Sequence, residues 1–137
     1  MIVLDTNVLS AVMAEMPDAA VSAWLDRYPP DGLCLTAITI LEVRHGLDRL
    51  PAGRRRTLLE RRFGELRGML GSVLPFDEAA AEEAGRLMAV RRSRGIAVGL
   101  MDTQIAGICR AQGHALATRN TRDFADCGIP LLDPWAD

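Results

Sequence analysis

The chain of 137 residues has the usual length of one domain, and its 49% apolar content is enough to form a hydrophobic core. The formal net charge is −2 at pH 7, so overall charge does not indicate a nucleic-acid-binding protein. No stretch has the pattern of a signal peptide or the roughly 18 apolar residues of a membrane span, and three widely spaced cysteines support neither a zinc site nor a disulfide framework. We therefore expect one cytoplasmic domain over residues 1–137.

Short strands and amphipathic helices alternate along the chain. Apolar periodicity, caps and breakers predict, in chain order, a strand at 1–5, helices at 7–14 and 19–28, a strand at 33–35, helices at 37–50 and 54–70, a strand or extended link at 72–75, helices at 78–94 and 100–111, a strand at 114–118 and a possible edge strand at 129–132. This alternation predicts parallel β–α units in an α/β sandwich.

Three acidic residues lie inside otherwise apolar segments. Asp5 follows the first strand, where open α/β sheets bind their ligands. Glu42 lies in the middle of a predicted helix, and Asp102 heads a helical stripe that otherwise faces the core. Acids are almost never fully buried without a partner, so these three indicate a shared counter-charge, most simply a divalent metal.

Each acid also has a purely structural explanation. Asp5 can cap the helix that follows it, and Asp102 can interact with the dipole in the first turn of its helix. Glu42 can form a salt bridge with a distant arginine. The loop after the fourth predicted strand emerges at the same sheet edge as Asp5, so Asn120 or Asp123 can complete the cluster, although both residue types also cap turns.

Such a cluster requires a cation or protons. Two carboxylates about 4 Å apart repel by about 4 kcal/mol at an effective dielectric constant near 20. Without a cation, some acids should bind protons with a raised pKa. Oxygen ligands alone favour Mg²⁺ or Mn²⁺ over zinc, and such an ion can polarise a phosphate oxygen and activate a water. The cluster therefore predicts chemistry on phosphodiester or phosphoryl substrates.

Other catalytic signatures are weaker. His45 and His114 are far apart and lack a nucleophile pattern, and the chain contains no serine-hydrolase elbow or nucleotide-binding glycine loop. A haloacid-dehalogenase-like phosphatase would place a nucleophile at Asp5. That family usually has a second aspartate where this chain has Asn7, and it uses a lysine, a residue that this chain lacks.

Four motifs in order resemble the PIN-domain ribonucleases, specifically the VapC-type toxins of bacterial toxin–antitoxin pairs and the related FitB proteins. They are MIVLDTN at 1–7, TILEVRHG at 39–46, GLMDTQIA at 99–106 and ATRNTRDF at 117–124. Each motif is weak alone, but four in this order over nearly the whole chain are specific. The resemblance implies a three-layer α/β/α sandwich with a short, mainly parallel central sheet.

The resemblance also implies site residues, a cofactor and partners. The metal-holding catalytic acids would be Asp5, Glu42 and Asp102, with Asp123 as a less regular fourth, and Thr6 and Asn120 would be supporting polar groups. The family implies Mg²⁺- or Mn²⁺-dependent endonucleolytic cleavage of RNA, often tRNA or rRNA, a cognate antitoxin that occludes the site, and toxin dimers.

Arginines near the site, namely Arg91, Arg92 and Arg119, are candidates for contacts with flanking phosphates of the substrate. A non-catalytic module that keeps the fold and binds RNA or protein is the alternative function, although a set of mutually repelling acids argues against it.

Overall fold

The computed structural model describes residues 1–97 and 99–137. Its strands are β1 (Ile2–Leu4), β2 (Leu33–Thr36), β3 (Ser72–Leu74), β4 (Ala115–Ala117) and β5 (Leu131–Leu132). They form one sheet in the order β3-β2-β1-β4-β5, and every neighbouring pair is parallel. The segment that the sequence left as a strand or a link is therefore a strand, and the proline-containing strand β5 does lie at an edge.

All six predicted helices are present. They are α1 (Thr6–Met13), α2 (Ala19–Leu25), α3 (Ala37–Asp48), α4 (Arg54–Met69), α5 (Glu78–Ser93) and α6 (Leu100–Gln112), with short 3₁₀ helices at Pro30–Gly32 and Thr121–Phe124. The caps follow the sequence: the side chains of Asp18 and Asp77 accept hydrogen bonds from the first turns of α2 and α5. None of the described helices is long and apolar enough to cross a membrane.

Two apolar clusters cover the two faces of the sheet. Val3, like Cys34 and Leu116 on its neighbouring strands, belongs to the cluster formed with α5 and α6. Leu4 belongs to the opposite cluster, formed with α1, α2, α3 and α4. Successive residues of a strand point to opposite faces, so a continuous apolar run such as Ile2–Leu4 predicts helices on both sides. The α/β/α sandwich expected from the sequence is confirmed.

Helices α5 and α6 pack very closely at one glycine. A Cβ atom at Gly107 would lie 2.6 Å from the carbonyl oxygen of Ala80 and 2.8 Å from the Cβ of Ala84. Small residues on both helices therefore allow the two backbones to approach. This contact positions α6, whose first turn carries Asp102, against α5.

Candidate active site

The site begins where two adjacent parallel strands end. Leu4 of β1 is in register with Ala117 of β4, and the backbone N–H of Asp5 donates to the carbonyl oxygen of Ala117 at 3.0 Å. The next residues, Asp5 and Thr118, therefore lie side by side at the carboxyl edge of the sheet. The Thr118 hydroxyl donates to Asp5 Oδ2 at 2.8 Å.

Both carboxylate oxygens of Asp5 are held by donors. The backbone N–H of Thr6 donates to Oδ1 at 2.8 Å, so Asp5 is also the N-cap of α1, and the Asn7 amide lies 3.4 Å from Oδ2. The side chain is only 5% exposed. Burial raises the pKa of Asp5, the hydrogen bonds from Thr118 and Thr6 oppose this shift, and the charge of Asp123 adds to it. Capping and membership of the acidic site are thus two roles of one carboxylate.

Glu42 reaches the same site from α3. This helix starts directly after β2, and the hydroxyl of Thr36 accepts a hydrogen bond from the backbone N–H of Thr39 at 3.0 Å. The Thr6 hydroxyl donates to Glu42 Oε1 at 3.0 Å. Burial raises the pKa of Glu42 despite that bond, and the charges of Asp5 and Asp102 raise it further. No ion pair among residues 1–97 and 99–137 includes Glu42, so the salt-bridge alternative is wrong for the described chain.

Asp102 lies in the first turn of α6 and is half-buried. The residues that follow it on the same face, Ile105, Ala106 and Cys109, are fully buried, as the helical spacing predicts. Burial raises the pKa of Asp102, and the charges of Asp5 and Asp123 raise it further, while Arg91 opposes the shift. The acids of three separate elements thus interact electrostatically with one another.

These three acids line one open cleft of about 690 Å³. The described residues that line it are Asp5, Thr6, Asn7, Ser10, Ala11, Ala14, Met16, Asp18, Glu42, Asp102, Arg119, Asn120 and Trp135. A cleft lined by several repelling carboxylates attracts cations and, through them, anionic substrates such as phosphates.

The carboxylates do not form a ready-made cage. Within residues 1–97 and 99–137, no group of three or more His, Cys, Asp or Glu side chains is arranged to hold a metal ion. A cage of that kind is what zinc or calcium needs, whereas Mg²⁺ keeps several of its waters and is usually bound by one or two carboxylates. Asp5 and Asp102, with raised pKa values and oxygen-only chemistry, fit a hydrated hard dication of this kind.

Asn120 and Asp123 are the two candidates for the fourth position of the acidic site, and they lie in different places. Asn120 lines the cleft, and its backbone N–H donates to the Thr118 hydroxyl at 3.1 Å. Asp123 is exposed and lines an adjacent cavity of about 470 Å³, which it shares with Asp102. Its charge nevertheless raises the pKa of both Asp5 and Asp102. Asp123 therefore acts on the site from its rim.

The three candidate arginines have different surroundings. Arg119 is exposed on the wall of the cleft. Arg92 is exposed on α5, outside the cleft. Arg91 is only 3% exposed, and its guanidinium forms a bidentate ion pair with Asp126 at 2.9 Å for both contacts. The sequence-based expectation that Arg91 binds substrate phosphates is wrong, because its donors are already used inside the protein.

The remaining donors of Arg91 also stay within the fold. They reach the hydroxyl of Thr103 at 3.2 Å and the carbonyl oxygen of Asp123 at 2.5 Å. Arg91 therefore ties the end of α5 to the loop that carries Asp123. It lines the adjacent cavity with Asp102 and Asp123 and is not among the residues that line the cleft.

Sequence reasoning missed Thr118. This threonine is fully buried, and its hydroxyl contacts Asp5, Asn120 and the Asn7 amide. The available signal was a polar residue directly after an apolar strand, at the register position next to Asp5. Asn7, in the first motif, has a supporting role that the motif alone does not indicate. Its Oδ1 accepts from the backbone N–H of Arg119 at 3.3 Å and so links α1 to the loop after β4.

Comparison with known proteins identifies the family of the chain. The model of the PIN domain family matches residues 2–129. A VapC ribonuclease of Sinorhizobium fredii is 44% identical over 98% of both chains. The toxin FitB of Neisseria gonorrhoeae is 32% identical over the full length of both chains.

Solved structures give the same result. The FitAcB structure from Neisseria gonorrhoeae superimposes with a TM-score of 0.91 at 31% identity, and the match covers 100% of each chain. FitAB bound to a DNA fragment also has a TM-score of 0.91, at 32% identity. The chain therefore belongs to the PIN-domain family, among its VapC- and FitB-type toxins.

Proposed function

We propose that this protein is a metal-dependent endoribonuclease and the toxin of a toxin–antitoxin pair. The observation that carries the proposal is the convergence of Asp5, Glu42 and Asp102, from three elements, on one cleft where burial raises the pKa of each and the charge of at least one nearby acid adds to the shift. Proteins rarely keep such a cluster for stability, because the acids destabilise one another.

Asp5 and Asp102 would hold Mg²⁺ or Mn²⁺, with Glu42 as a further ligand and Asp123 at the rim. A bound ion of this type supplies charge that polarises the scissile phosphate and lowers the pKa of a water. The fit rests on the oxygen-only donor set and on the half-buried, repelling carboxylates.

The chain's own side chains would orient the reaction. Thr118 and the Thr6 N–H fix both oxygens of Asp5, so this carboxylate does not rotate. Thr6 fixes Oε1 of Glu42, while Oε2 has no hydrogen-bond partner among the described residues. With its raised pKa, Glu42 can accept the proton of an attacking water at Oε2. Arg119 would bind a phosphate that flanks the cut.

The partners follow from the relatives. A VapC protein of Shigella flexneri, 27% identical over 97% of this chain, is named as a tRNA(fMet)-specific endonuclease, which supports RNA as the substrate and tRNA as its class. The FitAB structure and a VapBC complex from Salmonella typhimurium contain the toxin with its partner on DNA. We extend this to a cognate antitoxin that covers the cleft, and to a homodimer of the toxin.

The test is cleavage of RNA by the purified protein with Mg²⁺, with Mn²⁺ and with EDTA. Cleavage is expected with either metal and not with EDTA. Asp5→Asn and Asp102→Asn should each abolish cleavage while the protein stays folded. Asp31→Asn is the matched control, because Asp31 is exposed at the opposite end of β2, away from the cleft. Undiminished cleavage by the Asp5→Asn/Asp102→Asn variant would refute the assignment.

The alternative is a non-catalytic module that uses the same fold to bind RNA or protein. It predicts RNA binding without cleavage under every metal condition, and identical behaviour of the Asp31→Asn and Asp102→Asn variants. The phosphatase alternative is replaced by the family assignment.

A further inference from the structure

The cleft that holds the acids also carries one aromatic side chain, which is paired with an arginine. Trp135 is the only aromatic residue among the described residues that line the cleft. The guanidinium of Arg119 lies over its ring, with Cζ 4.9 Å from the ring centroid. We infer that Arg119 and Trp135 form a nucleotide-binding subsite for single-stranded RNA. This subsite rests on the proposed ribonuclease function and specifies two residues that bind its substrate.

Trp135 is held in place before any ligand arrives. Its indole N–H donates to Asp18 Oδ2 at 3.2 Å, and its backbone N–H donates to Asp133 Oδ1 at 2.9 Å. Asp18 is itself fixed, because its other oxygen caps α2 by accepting from the backbone N–H groups of Ala20 and Val21. The backbone N–H of Asp133 also donates to the Asp137 side chain at 2.7 Å, which further orders the C-terminal residues 133–137. A rigid ring lowers the entropic cost of stacking a base on it.

Arg119 supplies the charge. No ion pair among residues 1–97 and 99–137 includes it, although the cleft is lined by carboxylates. Its backbone N–H is fixed by Asn7 Oδ1, so the residue is anchored at its base while its guanidinium stays exposed over the ring. A guanidinium outside any ion pair can bind a phosphate in bidentate fashion, and its plane over the Trp135 ring can stack on a base.

The combination matches the way proteins hold single strands. Such sites combine a positive charge that follows the backbone with an aromatic face on which a base stacks. A tail anchor alone would need only the indole N–H bond and a buried ring. The ring of Trp135 packs in part on the apolar cluster of α1–α4, but it remains partly exposed in the same cleft as Asp5 and Asp102, with the exposed Arg119 guanidinium over it.

The experiment uses the Asp5→Asn/Asp102→Asn variant with Mg²⁺, so that binding is measured without cleavage. A short randomised single-stranded RNA should quench tryptophan emission. Trp135→Phe in this background should lose the quenching, because the other tryptophan, Trp24, is buried and out of reach of the RNA. The variant should keep most of the affinity, because phenylalanine also offers an aromatic ring. Trp135→Leu should weaken RNA binding by roughly 5- to 150-fold, the range for one stacked base.

Arg119→Gln provides a second readout that needs no substitution in the C-terminal residues 133–137. Loss of one phosphate contact should lower the slope of log affinity against log salt by about 0.7. Arg67→Gln is the matched control, because Arg67 also lies over an aromatic ring, that of Phe63 at 5.5 Å, but on α4. It should change neither affinity nor slope.

The outcomes separate this inference from the proposed function. Cleavage by the background variant, visible on a gel, would refute the role of the acids while the fluorescence and salt slopes remain readable. The subsite is overturned if the RNA does not bind, or if it binds without quenching and Arg119→Gln behaves like Arg67→Gln. Should Trp135→Leu fail to fold, judged by its melting curve, the Trp135→Phe and Arg119→Gln variants decide.

Discussion

Replacement of Arg91 by methionine should destabilise the protein strongly. Arg91 is 3% exposed and its partner Asp126 has a side chain only 17% exposed, so the substitution leaves a largely buried carboxylate without its cation. Breaking a buried pair in this way costs about 3–5 kcal/mol. The lost bonds to Thr103 and to the loop carbonyl of Asp123 act in the same direction.

The expected shift in melting temperature follows from the chain length. With 137 residues, an unfolding entropy of about 2.1 cal/mol/K per residue gives about 3.5 °C for each kcal/mol. Arg91→Met should therefore lower the melting temperature by about 10–17 °C. Differential scanning calorimetry, together with urea denaturation, measures both the shift and the free energy of unfolding.

The matched control is Arg86→Met on the same helix. Arg86 also contacts two carboxylates, Glu82 at 3.1 Å and Glu83 at 3.2 Å, but its side chain is 61% exposed. Exposed helical pairs contribute about 0.3–0.5 kcal/mol each, so the loss of both should lower the melting temperature by no more than about 3.5 °C. Similar shifts for the two variants would refute the argument that burial makes the Arg91 pair important for stability.

The pair also predicts a pH dependence. The hydrogen bonds from Arg91 hold the pKa of Asp126 below its ordinary value of 3.8. A lowered pKa in the folded state stabilises the protein above pH 3.8, and this contribution is lost as the pH falls through the lower folded-state value. The gap between wild type and Arg91→Met should therefore narrow in strong acid.

Three further predictions concern the site and its support. Asp102→Asn should raise the melting temperature in EDTA at neutral pH. The pKa of Asp102 is raised in the folded state, so its charge destabilises that state once the pH exceeds the ordinary value of 3.8. A lower melting temperature of the variant would contradict this. Thr118→Val should lower the free energy of unfolding by about 1–3 kcal/mol in urea denaturation. It should also move the acid limb of the pH profile of cleavage to higher pH, because Asp5 loses a hydrogen-bond donor and its pKa rises. If the acid limb does not move, Thr118 has no role in the site. Gly107→Ala should lower the free energy of unfolding by about 1–3 kcal/mol in the same assay, because α5 must move away from the added Cβ atom. Gly64→Ala on α4 is the control, since an added Cβ atom there meets no other atom within 4 Å and should not destabilise the protein.

The sequence predicted the architecture because its local patterns agree with the sheet. Continuous apolar runs such as Ile2–Leu4 indicated strands buried on both faces, and the caps at Asp18 and Asp77 placed two helix starts. The role of 72–75 stayed open, since a three-residue strand is defined by its pairing with β2 and not by its own composition.

The site was predictable in its acids but not in their support. Asp5, Glu42 and Asp102 stand out because carboxylates are rare within apolar segments. Thr118 was missed, because a hydroxyl after a strand has no charge to mark it and its role depends on the register between β1 and β4. Arg91 was misplaced for a related reason: no sequence pattern shows that Asp126 comes within hydrogen-bonding distance of it.

The acids of the cleft should together bind a hard dication. Titration of the metal-free protein with Mn²⁺ in a calorimeter measures this binding. We expect saturable binding by wild type and by Asp31→Asn, with a rise in melting temperature, and no binding by Asp5→Asn/Asp102→Asn. Absence of Mn²⁺ binding by wild type, or equal binding by the double variant, would show that these acids do not form a metal site.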